Sequence, residues 1–467
     1  MRTHQSFFLA SFLVCATGAS ACNHAVEAGE PGPDEGNTTP STTAVQAAPL
    51  EQLGSVSVAD VEFLAVTSLT RAPDDNIVFS LVQPAFRAPV QLNEYRVTDS
   101  GAFQFLAATC PTEVAFNSDD YELSLTRVGN QDLLFGAYDF RTISLYDVTN
   151  PSFIRCKTFE IAPATNDIFQ GQVGALDTEG DALALVTRDG ELTVWRFTSY
   201  DAPPIPIHRS QLQRDVGAGR LSDAAGIDFV REPSPQPDGV EGAIYVADGL
   251  GVSKWYLENG AVRYLGNVRA GNSWKDLVVV PIPPLGAGRP PQQSWIVGAA
   301  FNGLQVVHAG APKEPLGALV GQDRNSGNDF LSSVETLGRL RDTRVFDGQT
   351  VNDVVGDLVY VTSERLPSRI LRYNFDSIDF TKGGVVNLTP DTAKQFGPQR
   401  QTPHDVKAQL NGNLVFVAGE EGITSHSCSV SRGGISTGAA ERGGLWALLG
   451  MGALAWRRRR SRAGARE

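Results

Sequence analysis

The chain has 467 residues, 42% of them hydrophobic, which is enough to bury a core and excludes a wholly disordered chain. Its 47 Gly and 27 Pro, with only 2 Met, favour many short strands joined by turns, so an all-β fold is expected. The formal charge is −13, and without the basic end segments 1–21 and 429–467 there remain 30 basic and 50 acidic residues. Such an acidic surface repels phosphate backbones, so nucleic acid is not an expected partner.

The N-terminus is typical of a secretory signal peptide spanning residues 1–21. An apolar stretch from Phe7 to Ala16 is followed by the small residues Ala19 to Ala21, directly before Cys22. Ordinary signal peptidase would accept this site. It also resembles a bacterial lipobox, in which Cys22 would be lipidated, although Ala19 stands where most lipoboxes carry Leu or Val. Residues 22–52 are polar and rich in Pro and Thr, which predicts a disordered linker.

Seven units of similar pattern follow, each with an apolar strand, a tight turn and a second strand ending in an aromatic residue or Val. Their first apolar residues lie 50 to 63 residues apart, enough for one four-stranded sheet each: Ile77, Leu133, Leu183, Ile244, Trp295, Leu358 and Leu414. Alternating apolar positions such as Leu192 and Val194 fit strands packed between neighbouring sheets. We therefore predict a seven-bladed β-propeller over residues 53–427. A row of separate small β domains is the alternative, but no Pro/Ser linker interrupts the region.

The units resemble the LVIVD-repeat propellers of bacterial envelopes. The best matches are ISLYDVTNPS, residues 143–152, and IYVADGLGVSKW, residues 244–255. The resemblance implies the fold and says little about a ligand. Because the seventh unit stops at Cys428 without an outer strand, we expect the segment around Leu53 to Ser57 to complete it and close the ring.

Six of the seven units carry an acid near the start of the strand that precedes the repeat. These acids are Asp60, Glu122, Asp228, Asp276, Glu335 and Asp405, with Gly174 at the seventh place. If these strands are innermost, the carboxylates converge at a channel mouth and could bind Ca²⁺. The alternative is that each accepts backbone N–H bonds within its own blade.

Other chemistry-bearing residues give weaker signals. His404 and Asp405 are adjacent and suggest either an acid/base pair or a structural turn, whereas His208, His308 and His426 lack the spacing of zinc ligands. The chain contains no nucleophile elbow, Walker loop, zincin helix or Rossmann glycine pattern in its expected context.

Three long segments extend the same hairpin in units four, five and six: residues 231–239, 281–293 and 341–356. Three long loops on one face predict either a recognition surface or tolerated insertions. Cys110 and Cys156 are the cysteines within the repeats, and in an oxidising envelope they would form a disulfide, or else two buried thiols.

The C-terminus resembles the MYXO-CTERM sorting signal of myxobacterial surface proteins. It has Cys428, a Gly/Ser-rich spacer, the apolar run Leu445 to Trp456 and then Arg457 to Arg460. Twelve apolar residues span about 18 Å as a helix, short of the roughly 30 Å bilayer core, which suits a signal that is cut better than a permanent tail anchor. The resemblance implies a tail that is removed and a protein kept at the surface, with lipid at Cys22, at Cys428 or at both.

Together these features predict a non-enzymatic propeller at the cell envelope, outer membrane or surface, held by lipid or a C-terminal anchor. Its partner would be an extracellular protein or glycan, with no cofactor required. The alternative is a metal-dependent propeller hydrolase or lactonase, with Ca²⁺ held by Asp60, Asp228, Asp276 and Asp405. Fold alone decides neither function.

Overall fold

The computed structural model describes residues 50–427, within one compact unit, Ala44–Glu467. Inside that span, the residues not described are 73–74, 86–87, 99, 110–121, 138–141, 151, 161–171, 214–220, 222, 233–238, 270–272, 282–293, 302, 324–330, 337–340, 347–348, 355–357, 365–366, 376–377, 379–382, 397–401 and 409–413. The predicted signal peptide, the lipidation candidates Cys22 and Cys428 and the predicted sorting signal lie outside the described residues.

The described chain is built from strands, as the composition predicts. In order they are β1 (Gln52–Ala72), β2 (Asp75–Gln83), β3 (Gln91–Val97), β4 (Phe103–Thr109), β5 (Glu122–Val128), β6 (Gln131–Ala137), β7 (Thr142–Asp147), β8 (Arg155–Glu160), β9 (Val173–Glu179), β10 (Ala182–Thr187), β11 (Glu191–Arg196), β12 (Ile205–Gln211), β13 (Gly226–Glu232), β14 (Glu241–Asp248), β15 (Gly251–Glu258), β16 (Ala261–Arg269), β17 (Trp274–Pro281), β18 (Ser294–Ala300), β19 (Gly303–His308), β20 (Leu319–Gln322), β21 (Leu331–Thr336), β22 (Arg341–Phe346), β23 (Gln349–Val354), β24 (Leu358–Ser363), β25 (Arg369–Asn374), β26 (Val386–Asn387), β27 (Thr392–Gln395), β28 (Pro403–Ala408) and β29 (Leu414–Ser427).

These strands form a β-propeller. Among the described strands there are six sheets of four to six strands and one separate two-stranded hairpin, β22–β23. Counted as hydrogen-bonded sheets, the propeller has six blades, one fewer than the seven predicted. The reason is that the first and seventh repeat units share one six-stranded sheet, β28-β29-β1-β2-β3-β4.

The seven repeat units nevertheless remain visible in the packing. The innermost strands contact one another in a closed ring, in the order β1, β5, β9, β13, β17, β21, β28 and back to β1. Seven buried apolar clusters of described residues each join one unit to the next. The shared sheet therefore serves two neighbouring units.

Alternation along the strands decides which neighbour each side chain meets. In β10, Ala184 and Val186 pack toward the fourth unit, whereas Leu183 and Leu185 pack toward the second. All six residues of β10 are buried, whereas every residue of the outer strand β12 of the same sheet is partly or fully exposed. This is the two-sided burial of strands between facing sheets, as predicted from Leu192 and Val194.

The ring is closed by the N-terminal strand, as predicted. Residues 52–57 of β1 pair antiparallel with residues 422–426 of β29, and from Glu62 onward β1 pairs with β2. Glu51 adds a hydrogen bond, since its carbonyl oxygen accepts from Ser427 N at 2.8 Å. Leu50 is already buried, at 3% exposed, so the packed region begins slightly before the predicted residue 53.

A buried lysine links the fourth and fifth units. Lys254 Nζ donates to the carbonyl oxygens of Ala309, Ala311 and Glu314 at 2.7 to 2.9 Å. Burial lowers the pKa of Lys254 to about 8, although the nearby acids Glu314 and Glu232 act in the opposite direction. Three carbonyl acceptors satisfy the three N–H groups of the ammonium, which is the condition for burying it.

Candidate binding site in the central channel

A cavity of about 690 Å³ lies where the innermost strands converge. All seven innermost strands contribute to its wall. The polar and charged lining residues are Thr67, Ser68, Glu122, Ser124, Asp177, Thr178, Arg188, Asp223, Asp228, Lys275, Asp276, Ser332, Ser333, Glu335, Glu364, His404, Asp405 and Lys407. Arg188 and Glu364 belong to connections between second and third strands, so the cavity lies toward the face that carries those connections.

Five channel carboxylates hydrogen-bond the backbone of the next innermost strand. The donors and acceptors are Val66 N to Asp405 Oδ2 at 2.9 Å, Leu176 N to Glu122 Oε2 at 2.7 Å, Phe229 N to Asp177 Oδ2 at 2.9 Å, Val279 N to Asp228 Oδ2 at 2.6 Å and Val334 N to Asp276 Oδ2 at 2.9 Å. The alternative that each acid bonds backbone N–H groups within its own blade holds only in part: Asp276 Oδ1 also accepts from Leu277 N at 2.7 Å in its own strand, and Asp405 and Val66 belong to one shared sheet. These carboxylates join neighbouring units around the ring.

Asp177 was missed because the third unit was aligned on Gly174. Strand pairing supplies the correct alignment: Asp177 lies opposite Ala184, as Asp228 lies opposite Tyr245. Ala184 and Tyr245 hold the same position in the third and fourth units, because each directly follows the first apolar residue of its repeat. Gly174 lines the cavity without a side chain, and a Cβ there would lie 2.1 Å from Ala224 O.

Lys407 lies at the centre of the acidic wall. Its Nζ is 3.4 Å from Glu335 Oε2. Burial alone would lower the pKa of Lys407, but the carboxylates of Glu335, Asp405, Asp276 and Glu122 together raise it. The ammonium is therefore held in its charged form by four acids.

Three of these acids have raised pKa values. Burial is the main cause, and it raises the pKa of Asp276 to about 7 against the opposing effects of Lys407 and the Val334 N–H group. Burial likewise raises the pKa of Glu122 and of Asp405. The hydroxyl of Ser333 links two of them, lying 3.0 Å from Asp276 Oδ2 and 3.2 Å from Asp405 Oδ1. Because a raised pKa favours the protonated carboxyl group, these three acids carry less negative charge than exposed acids would.

His404 does not pair with Asp405. Its Nε2 lies 3.1 Å from Glu62 Oε1, while the two oxygens of Asp405 accept from Val66 N and Ser333 Oγ. The contact with His404 lowers the pKa of Glu62. The predicted acid/base pair is therefore replaced by a His404–Glu62 contact at the channel rim, and the structural alternative is the better description.

The other histidines lie in separate local networks. His208 Nδ1 contacts Gly260 O at 2.9 Å, His308 Nδ1 accepts from Gly310 N at 3.1 Å, and His426 Nε2 contacts Thr424 Oγ1 at 2.8 Å.

The four acids suggested as Ca²⁺ ligands do not form one site. Asp228, Asp276 and Asp405 line the channel, whereas Asp60 lines a second hollow of about 340 Å³ with Glu62, Gln83, Glu420 and Glu421. Within the described part of the chain, no group of three or more His, Cys, Asp or Glu residues is arranged to hold a metal ion. The three channel acids are used instead for bonds between units.

Exposed apolar side chains lie on connections at both faces. Leu250 and Phe301, 39% and 49% exposed, follow β14 and β18 on the connections between second and third strands. Phe153, 68% exposed, precedes β8 and so lies on the opposite face.

The three predicted long segments also join corresponding strands, β13 to β14, β17 to β18 and β21 to β24, which places them on the face opposite Leu250 and Phe301. Residues 233–238 and 282–293 themselves lie outside the described residues, while the third segment contains the hairpin β22–β23.

Cys156 in β8 forms a disulfide bond. The predicted partner, Cys110, lies outside the described residues, so the pairing stays a prediction. In the part of the chain covered by the structure, there is no helix with the length and apolar character needed to traverse a bilayer.

Comparison with known proteins supports the fold alone. No family model and no curated protein matches the chain. Among solved structures, a chain of the Chaetomium thermophilum Polycomb Repressive Complex 2 bound to GSK126 matches with a TM-score of 0.53 and 10% identity, covering 81% of this chain and 98% of that chain. A humanized mutant of that complex, bound to the same inhibitor, gives the same values. The chain is thus similar to propeller-containing structures at the level of architecture.

Proposed function

We propose that this chain is a non-enzymatic propeller that binds a protein outside the cell, with a glycan as the other candidate partner. The observation that carries the proposal is the use of the channel acids. Asp228, Asp276 and Asp405 are bonded to the next unit, so they build a rigid ring with an open cavity instead of a set of free catalytic groups. Such a scaffold positions loops for recognition.

The exposed apolar residues support a protein partner. Leu250 and Phe301 are on the cavity side of the ring, and large exposed apolar side chains beside polar surface are typical of interaction sites. Both similar solved structures are named as Polycomb Repressive Complex 2, so each matching chain comes from a multiprotein complex. The metal-dependent hydrolase is not supported by a specific feature of the described residues.

For location, we propose an exported protein retained at the outer membrane or cell surface, on the strength of the two terminal sequence patterns. Residues 1–21 would be removed, and lipid at Cys22, processing at Cys428, or both would retain the chain. Intact mass of the protein purified from its native envelope tests this. Loss of both end segments with added lipid mass supports it, and a full-length tail contradicts the sorting signal.

For partner class, fluorescently labelled mature protein is added to intact cells that lack their own copy. Binding that is saturable and is abolished by trypsin treatment of the cells supports a protein partner. Loss after glycosidase treatment alone identifies a glycan, and binding without saturation contradicts the function. Metal content and esterase or lactonase activity of the same preparation serve as the check on the enzymatic alternative.

A further inference from the structure

A buried histidine lies where the two ends of the ring meet. His426 belongs to β29 and lies opposite Gln52, the first residue of β1. Its side chain is fully buried. The same junction is held by backbone and hydroxyl contacts, since Ser427 N donates to Glu51 O at 2.8 Å and Glu51 N donates to Ser427 Oγ at 3.1 Å. His426 is thus enclosed in the pairing that closes the propeller.

The side chain of His426 points toward the sixth unit. Thr424 and His426 share one face of β29, because side chains two positions apart in a strand point the same way. Ser425 points to the other face, where its Oγ donates to Gly101 O of the first unit at 2.7 Å. On the His426 side, Lys394 of β27 acts on the imidazole electrostatically. The ring therefore lies between the sixth and seventh units, away from solvent.

Only one nitrogen of this imidazole has a hydrogen-bond partner in the part of the chain that the structure describes. Nε2 contacts Thr424 Oγ1 at 2.8 Å, whereas Nδ1 is buried without a partner. A neutral imidazole has one N–H group, which Thr424 can accept, but an imidazolium has two. The second N–H group would be buried with no acceptor, which costs free energy. The site suits the neutral ring and disfavours the charged one.

The charged groups around His426 do not compensate for a positive charge. Lys394 is itself a cation, and Glu51 meets the junction through its backbone atoms. The acids of β1 and β29 line the second hollow at the far end of this pairing, and the other charged groups belong to β28, which pairs with the first half of β29, and to β25: Asp60, Glu62, Glu420, Glu421, then His404, Asp405, Lys407, Arg369 and Arg372. Burial lowers the pKa of His426 to about 3, and Lys394 acts in the same direction.

This arrangement couples closure of the ring to pH. In the closed ring His426 stays neutral, but once residues 52–57 separate from β29 and water reaches the imidazole, its pKa returns to about 6.5. The open form therefore binds a proton that the closed form excludes, so closure is complete above pH 6.5 and weakens as pH falls from there. A pKa of about 3 in the closed form makes opening about thirtyfold more favourable at pH 5 than at pH 8.

We propose that the pairing of β1 with β29 is an acid-sensitive latch, in which protonation of His426 releases residues 52–57 from β29 while the other units stay folded. The buried, unpartnered Nδ1 at the junction carries this proposal. At neutral pH the latch holds the N-terminal strand in the ring, and in acidic surroundings it frees that strand. The latch needs no partner, so it is independent of the proposed function.

Hydrogen exchange of the full mature chain at pH 5 and pH 8 tests the latch, with each rate divided by the intrinsic exchange rate at that pH. We expect the protection of residues 52–57 to be about thirtyfold lower at pH 5. Strand β14, in the fourth unit, reports any pH effect on the whole ring and should keep its protection. Equal protection of residues 52–57 at the two pH values would overturn the proposal, as would an equal loss in β14.

Two histidine variants assign the effect. His426→Gln keeps an N–H group for Thr424 and cannot gain a charge, so residues 52–57 should be protected equally at pH 5 and pH 8. His208→Gln, in the outer strand β12 of the third unit, is the matched control and should retain the wild-type difference. A pH dependence that persists in full in His426→Gln, or that disappears in His208→Gln, contradicts the role of His426.

Exchange of the imidazole C2 hydrogen provides a measurement on the wild-type chain, which needs no variant to fold. In urea, His426 should titrate with a midpoint of about 6.5. In the folded chain it should exchange slowly and show no midpoint between pH 5 and pH 8. A midpoint near 6.5 in the folded chain would show that the closed ring tolerates the imidazolium, and the latch would then be refuted.

Discussion

Removing one carboxylate that joins neighbouring units should weaken the whole ring. Asp228 is 4% exposed, and its Oδ2 accepts from Val279 N at 2.6 Å across the boundary between the fourth and fifth units. Asp228→Ala leaves that N–H group buried without this acceptor, which costs about 1 to 3 kcal/mol. Asp228→Asn keeps an oxygen at the same place and should lose less than half as much.

Thermal unfolding followed by circular dichroism measures the effect. The entropy of unfolding is about 2 cal/mol/K per residue, so for residues 50–427 the Ala variant should lower Tm by about 1 to 4 °C. Glu364→Ala, an exposed acid at the rim, is the matched control and should change Tm very little. If Asp228→Ala is as stable as Glu364→Ala, or if the Asn and Ala variants lose equally, the bond between units does not stabilise the ring.

Three further predictions concern pH, closure and the disulfide. The folded-state pKa of Asp276 is raised from 3.8 to about 7, so the folded chain binds the extra proton, and its stability should fall as pH rises from about 4 to 7. Urea unfolding at several pH values should show this slope reduced in Asp276→Asn, and an unchanged slope would refute the assignment. Gly54→Ala would place Cβ 2.2 Å from Gly101 O, so hydrogen exchange of residues 52–57 should speed up while β14 stays protected. Equal protection of residues 52–57 in wild type and variant would contradict the tight closure. Peptide mapping without reductant should recover a Cys110–Cys156 linked pair, whose reduction costs about 3 to 4 kcal/mol, and finding Cys110 as a free thiol would exclude that pairing.

The sequence predicted the features that depend on local pattern. Alternating apolar residues such as Leu192 and Val194 identified strands packed between neighbouring sheets, and the missing outer strand of the last unit identified residues 53–57 as the closing segment. Both follow from the same requirement: each sheet needs a partner on each face, and each unit needs a fourth strand.

The partners of the channel acids could not be predicted in this way. Asp228 bonds a backbone N–H group 51 positions away, and Asp405 bonds one 339 positions away, so no local pattern identifies either contact. The number of sheets could not be predicted either. The first part of β1 pairs with β29 and the rest pairs with β2, which merges two repeat units into one sheet, and the spacing of the repeats does not reveal this pairing. Asp60 was grouped with the channel acids by position in the repeat, yet it lines a different hollow.

Saturation binding to intact cells, comparing three proteins, is the most direct test of a binding propeller. Wild type and Phe153→Ser should bind with equal affinity, whereas the double variant Leu250→Ser, Phe301→Ser should bind at least tenfold more weakly. Equal binding by all three proteins would contradict a recognition surface at the channel face. Absence of saturable binding in the wild type would contradict the proposed function itself.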